Sequence, residues 1–184
     1  MNIWVELLLA LGLLILIGLV WGFLQQVFGL EKETKEREIG PKKGVDFIGV
    51  AVVFLCHDGH GNYVMYKRSK GSRDEHDTWD IGGGGVKFGE RLEEALRREI
   101  KEEYSTEVVH AEYLGFREVH RKLPDDRTTH WICFDYKVEV VRDQVSIGEP
   151  EHIDEIRWWR TIDDIPTPRM SQLNYFLEKY KDKL

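Results

Sequence analysis

The chain has almost no cysteine: Cys56 and Cys133 are the only two in 184 residues. Both lie in apolar, strand-like stretches, which reads as buried free thiols, with a disulfide as the lesser alternative. No CxxC pair is present, so a cysteine-ligated zinc site is excluded. Positive charge is not in excess either. Lys and Arg number 26 against 33 Asp and Glu, for a formal net charge of -7. That balance argues against binding DNA or RNA duplexes through a broad basic face, although a local phosphate site needs only a few Lys or Arg. Internal repeats and low-complexity tracts are absent. A chain of this length suits one domain with its own core plus a short appendage.

Lys and Arg are also missing before the first apolar run, and no small-x-small cleavage site follows it, so a cleaved signal peptide is disfavoured. Leu7 to Leu24 is almost wholly apolar, and Ile3 to Val5 extend it toward the roughly 20 residues that cross a bilayer. Trp4 and Trp21 lie near its ends, where aromatic rings favour the headgroup region. A buried helix of a globular domain would need a polar face, which this segment lacks. The expectation is a transmembrane anchor over 3–24, with the membrane as a partner. Lys32, Lys35, Arg37, Lys42 and Lys43 follow the run, so the positive-inside rule places the rest of a single-pass protein in the cytoplasm. Gly18 and Gly22 form a weak GxxxG pattern, compatible with an oligomer. Residues 25–44 are charged, interrupted by Gly40-Pro41 and Gly44, and read as a juxtamembrane linker.

Residues 45–184 read as one α+β domain. Phe47–Leu55 is an apolar run suited to a buried strand, and Tyr63–Lys67 returns after a turn at 57–62. Val108–Val119, Thr129–Val141 and Ile156–Arg160 read as further strands. Glu90–Tyr104 and Ser171–Lys183 read as helices. Mixed strands with few helices suggest a sheet between helical layers.

On a helical wheel at about 100° per residue, Leu92, Ala95, Leu96 and Ile100 form the packing face of Glu90–Tyr104. Glu99, Glu102 and Glu103 share the stripe begun by Leu92 and Leu96. Three carboxylates within one turn and aimed inward repel one another. A hard divalent cation relieves that repulsion, and Mg²⁺ favours carboxylate oxygens, with Mn²⁺ as an alternative. The competing reading is a solvated acidic helix end. Just ahead of the helix, Gly82–Gly85 allows close backbone approach to a ligand and positive φ. A glycine bend beside a carboxylate cluster suits a metal–pyrophosphate complex.

These residues together resemble the Nudix box. Gly84 is followed at the expected spacing by Glu90, then by Arg98-Glu99-Ile100-Lys101-Glu102-Glu103. Ser105 stands where that pattern has Gly, Thr106 where it has an apolar residue, and Gly82 where many members have Pro. Tyr66-Lys67-Arg68, Trp79 and Glu155 to Trp158 extend the resemblance over about 45–166, closest to the MutT type. It implies an α/β/α sandwich with a mixed sheet. The implied activity is Mg²⁺-dependent cleavage of a phosphoanhydride bond in a nucleoside diphosphate-linked substrate, a (d)NTP or related nucleotide being favoured. A non-catalytic, membrane-tethered nucleotide-binding domain is the alternative.

The resemblance further implies roles. Glu99, Glu102 and Glu103 hold the metal, with a carbonyl of Gly83 or Gly84. Arg98 pairs with Glu90 and holds the loop against the helix. The general base is Glu102 or Glu103, or an acid of the 149–155 stretch, where Glu151 and Glu155 are preferred. Lys67 and Arg68 are candidates for phosphate contact, and Gly84 and Gly85 for substrate contact. Phe116, His120, Trp131 and Phe134 are candidates for stacking on a base, although strand alternation sends half of them elsewhere.

Overall fold

Strand β1, Gly49–His57, is apolar up to its last residue and buried on both sides along most of its length, as a central strand covered by two layers must be. The computed structural model containing it describes residues 16–18, 20, 40–123 and 125–184. The chain divides into units 1–40 and 41–184. In the first unit the described residues are Leu16, Ile17, Gly18 and Val20, which are helical and exposed, and Gly40, an exposed bend. The remainder of the expected span over 3–24, and the linker from 25 to 39, lie outside the described residues.

The expected single-pass membrane placement is corrected. Crossing the hydrocarbon layer takes a continuous apolar helix of about 20 residues, and no helix among the described residues is long and apolar enough to cross a membrane. The cytoplasmic orientation and the membrane as partner rested on that span and go with it.

In the second unit the elements follow as β1, β2 (Tyr63–Arg68), β3 (Trp79–Asp80), β4 (Gly82–Gly85), α1 (Leu92–Tyr104), β5 (Val108–Lys122), β6 (Thr128–Val140), β7 (Ile153–Trp159) and α2 (Ser171–Tyr180). They build one seven-stranded mixed sheet in the order β3-β2-β1-β6-β5, with β4 also paired to β1 and β7 to β2. β1 runs parallel to β6 and antiparallel to β4 and β2.

Period-two alternation sorts the sheet's side chains into two cores. Val52, Phe54 and Cys56 meet Ala95, Leu96, Ile100 and Tyr104 of α1. Leu55 and Met65 meet Leu173, Phe176 and Tyr180 of α2. The neighbours Trp158 and Trp159 divide the same way, the first to the α1 core and the second to the α2 core. Cys56 and Cys133 are buried free thiols. Sequence-based boundaries shift by a few residues. Phe47 and Ile48 precede β1 and are about half exposed, at 49% and 50%. α1 starts two residues after Glu90, because the Glu90 carboxylate accepts from the Lys87 N–H (2.8 Å) and ties off the preceding turn.

α1 ends at Ser105, whose φ of 54° is left-handed and whose N–H bonds the Lys101 carbonyl. Glycine occupies this helix-terminating position most easily, since any Cβ there crowds the backbone. Ser105→Gly is therefore expected to raise unfolding free energy by about 0.5–1 kcal/mol, net of glycine's greater unfolded-state freedom. Urea denaturation measures this, and an unchanged or lower midpoint would contradict the strain.

Candidate active site

The four glycines of β4 are extended strand, not a bend: none of them has positive φ. What they supply is absence of side chains on one face. Gly82 and Gly84 point toward α1. A Cβ on Gly84 would fall within the Glu99 carboxyl group, and one on Gly82 would run into the Phe54 ring and the Glu103 carboxylate. Gly85 faces the other way, and a Cβ there would meet nothing closer than 3.8 Å. Alternation thus explains why the acidic face of α1 can lie directly on this strand.

Glu103 is buried, at 6% exposure. The Gly83 N–H donates to its Oε2 at 3.1 Å. Burial pushes its pKa well above the usual carboxylate range, and the charges of Glu99, Glu149 and Asp80 push the same way. Glu99 is also raised, first by burial, with Glu102 and Glu149 adding and Arg98 opposing. Glu102 differs from the sequence-based expectation. Its side chain is 41% exposed, on the flank of the stripe, where it meets Arg98 Nη1 (2.8 Å) and Lys87 Nζ (3.8 Å).

Arg98 binds this cluster together. It donates from Nε and Nη2 to the two Glu90 oxygens (2.7 and 3.0 Å), from Nη1 to Glu99 (2.6 Å) and Glu102, and from Nη2 to the Gly85 carbonyl (3.2 Å). Two parallel bonds to one carboxylate fix the guanidinium plane. Hydrogen bonding from Arg98 draws the Glu90 pKa down to about 2. Arg98 is therefore a positioning residue, clamping loop, strand and helix.

The donor set fits a hard divalent cation. Hard oxygen donors gather on one helical turn, and burial, with neighbouring carboxylates adding to it, raises the pKa of Glu99 and Glu103, which a double positive charge opposes. The three glutamates do not form a tight ligand group. Among the described residues, the group of three ligand atoms within 4.8 Å of one another lies elsewhere, on β5 and β6.

Behind the glycine strand, on the α2 side, lies a cleft of about 250 Å³. Gly82–Gly85, Ala51, Val53, Val119, Trp131, Arg117, Arg121, Arg68 and Asp80 line it, and none of the three glutamates does. Of the stacking candidates Trp131 lines the cleft, while Phe116, His120 and Phe134 do not. The two adjacent basic candidates also separate. Arg68 faces the cleft, its guanidinium taken up by Asp80 (3.2 Å) and by Asp74. Lys67 is absent from the cleft lining and sits 3.8 Å from Asp77.

Two features escaped the sequence reading. Asp80 is buried at the cleft, and burial raises its pKa to about 6 against the pull of Arg68. Its place directly before the glycines was the available signal. Arg117 pairs bidentately with Asp135 (2.7 and 3.0 Å), which also accepts from the Tyr180 hydroxyl (2.8 Å). Arg117 alternates with Val119 and Arg121 on β5, the one hint that it faces a cleft. Glu149 is the acid of the 149–155 stretch that acts on Glu99 and Glu103. By contrast Glu151 offers its carbonyl to Ser69, and Glu155 pairs with Arg157.

Residues 47–180 match the family model of the NUDIX domain. Among curated proteins, the nucleoside triphosphatase NudI of Escherichia coli (strain K12 / DH10B) is 45% identical over 49 residues, covering 27% of this chain and 35% of its own length. NudI of Salmonella newport is 43% identical over the same extent. The matched stretch thus spans about a third of these relatives. Among solved structures, a MutT NUDIX hydrolase from Burkholderia pseudomallei superposes with a TM-score of 0.62 at 24% identity, covering 72% of this chain and 98% of that one. The NUDIX domain of Shewanella oneidensis NrtR, complexed with ADP ribose, gives 0.58 at 16% identity, covering 82% and 94%. At these identities the likeness is one of fold.

Two outcomes follow from the geometry. Gly84→Ala is expected to lower stability by about 1–3 kcal/mol, since Glu99 must move. Gly85→Ala should stay within about 0.5 kcal/mol of the parent. Equal urea midpoints would refute the asymmetry. Glu103→Gln tests the buried charge. An acid whose folded pKa is raised stabilises fully below its unfolded pKa, and that contribution is lost as pH rises through the folded value. Each unit of upward shift is worth about 1.4 kcal/mol. The glutamine variant should match the parent near pH 4 and exceed its unfolding free energy at pH 8. A parent that is the more stable at pH 8 would show the carboxylate to be compensated.

Proposed function

The chain belongs to the NUDIX domain family, and on that premise we propose that it is a Mg²⁺-dependent pyrophosphohydrolase. It cleaves a phosphoanhydride bond in a nucleoside diphosphate-linked substrate, a (d)NTP or related nucleotide. The observation that carries this reading is the acidic face of α1 lying on the glycine strand, with Glu99 and Glu103 raised in pKa first by burial and then by neighbouring carboxylates, and Arg98 holding the assembly. The match to proteins named nucleoside triphosphatase, which covers 49 residues, supports the substrate class.

Glu99, Glu102 and Glu103 hold the cation, and Gly83 contributes its carbonyl. When bound, a divalent ion neutralises phosphate charge and makes water a better nucleophile. Glu102 or Glu103 accepts the proton of the attacking water. Burial holds the Glu103 carboxyl above the usual carboxylate range, which strengthens it as a proton acceptor. Arg98 and Glu90 keep the carboxylates and the strand in register. The cleft would take the nucleoside, with Trp131 offering a stacking face and Gly84 and Gly85 offering backbone contacts to the substrate.

The purified full chain, assayed against NTPs, dNTPs, ADP-ribose and dinucleoside polyphosphates, should turn over at least one of them with Mg²⁺ or Mn²⁺ and lose activity on chelation. Glu102→Gln should lower kcat by about 10²-fold or more, and Glu99→Gln should raise the Mg²⁺ concentration required. A chain that binds nucleotide tightly without hydrolysing it would point to a binding domain. Full activity in both variants would overturn the metal assignment.

A further inference from the structure

The β5–β6 hairpin carries a second set of ligands that the acidic helix does not use. Glu118, His120 and His130 each offer one ligand atom, and these atoms all lie within 4.8 Å of one another. We propose that these three residues form a transition-metal site of the Zn²⁺ class, separate from the carboxylate cluster of α1.

Strand geometry places the ligands. Glu118 and His120 are two apart on β5 and so share a face. His120 stands directly opposite His130 in the β5–β6 register. The His130 N–H bonds the Gly44 carbonyl (2.8 Å), so it points away from β5. The two histidines are thus a non-hydrogen-bonded pair, the kind in which facing side chains come closest. Their ring centroids are 4.2 Å apart. Val119, Arg121 and Trp131, the intervening residues, line the cleft. Alternation therefore sets the three ligands on the other face of the hairpin.

Donor chemistry selects the ion. Two imidazoles and one carboxylate are the protein ligands of open zinc sites, with the fourth position left to water or another ligand. Imidazole suits Zn²⁺, Cu²⁺, Ni²⁺ and Co²⁺, whereas Mg²⁺ favours an all-oxygen set. The two sites on this chain therefore take different ions. A separate observation points the same way: His130 Nε2 is shielded from solvent and has no hydrogen-bond partner among the described residues. A buried ring nitrogen without a partner is uncommon and costs free energy until something satisfies it. Among the described residues neither the His120 nor the His130 side chain makes a hydrogen bond, so these ligands lack the support that ligating histidines usually receive from a neighbouring acceptor. Such support is worth about 10–100-fold in affinity, so binding is expected to be weaker than at a closed structural site. The competing arrangement is a stacked pair of histidines beside a solvated glutamate.

The full chain is titrated with Co²⁺ in excess Mg²⁺, which occupies the carboxylate cluster, and the visible d–d absorption is followed. One equivalent of Co²⁺ is expected to saturate a band that Zn²⁺ then abolishes. At a free Zn²⁺ concentration about 100-fold over its Kd, Tm should rise by about 5–10 °C. His120→Asn, at an exposed position, should weaken binding by at least about tenfold, and Glu118→Gln to a lesser degree. Glu102→Gln should leave the Co²⁺ signal unchanged. No saturable signal in excess Mg²⁺ would overturn the proposal, as would a signal that survives His120→Asn or vanishes in Glu102→Gln. Because the readout is spectroscopic, failure here is distinguishable from failure of the hydrolase reading, which is judged by turnover.

Discussion

How closely a helix can lie on a strand decides most of what this domain can do. α1 brings its carboxylates against β4 only because Gly82 and Gly84 present no side chain on that face. Any Cβ at Gly84 displaces Glu99. Arg98 then converts proximity into order. One guanidinium spans Glu90, Glu99, Glu102 and the Gly85 carbonyl, tying together three pieces of chain that are separated in sequence. Glycine gives the approach and arginine gives the register. Neither alone would hold like charges at such close range.

The sheet also keeps two electrostatic environments apart. On the α1 side, acids crowd and their pKa values rise. On the α2 side, arginines line the cleft, each engaged by a carboxylate. Arg117 meets Asp135, Arg68 meets Asp80 and Asp74, and Arg121 meets Asp74 and Glu75. The Arg117–Asp135 pair is almost fully buried, at 3% and 0% side-chain exposure. Breaking such a pair from one side leaves an uncompensated charge in the core. The cleft is therefore polar without carrying a large free positive charge. That suits a site where a cation, rather than arginine, meets the phosphates.

What could be read from the sequence is what local period and spacing encode. The strand runs and the two helices follow from alternation and from the wheel. The box spacing marked α1 and its acids because they occupy one continuous helix. Errors arose where a contact depends on distant chain. The wheel placed Glu102 inward, but the pull of Arg98 and Lys87 keeps it on the exposed flank. Four successive glycines suggested a bend, but pairing with β1 draws them out as strand. Asp135, Arg117 and Tyr180 come together from β6, β5 and α2, and no single-segment pattern announces that. Hydropathy over 3–24 counted apolar residues and took length for a membrane span, yet the described residues hold no helix that qualifies.

The same physics explains why the site costs stability. A fold selected for stability alone would not bury Glu103 beside Glu99 and Asp80, nor put a non-glycine residue at the left-handed end of α1. Glu103 is kept where desolvation and like charge both oppose ionisation. Strain of this kind persists where it serves a site, because a ligand that satisfies it stabilises the folded state. On the proposed reading, a bound cation removes part of the repulsion between Glu99 and Glu103. The His120–His130 pair repeats the logic on a smaller scale, since a shielded, unpaired nitrogen is also a group waiting for a partner. On both proposed readings, part of the free energy of binding an ion comes from relieving groups that the fold holds at a cost.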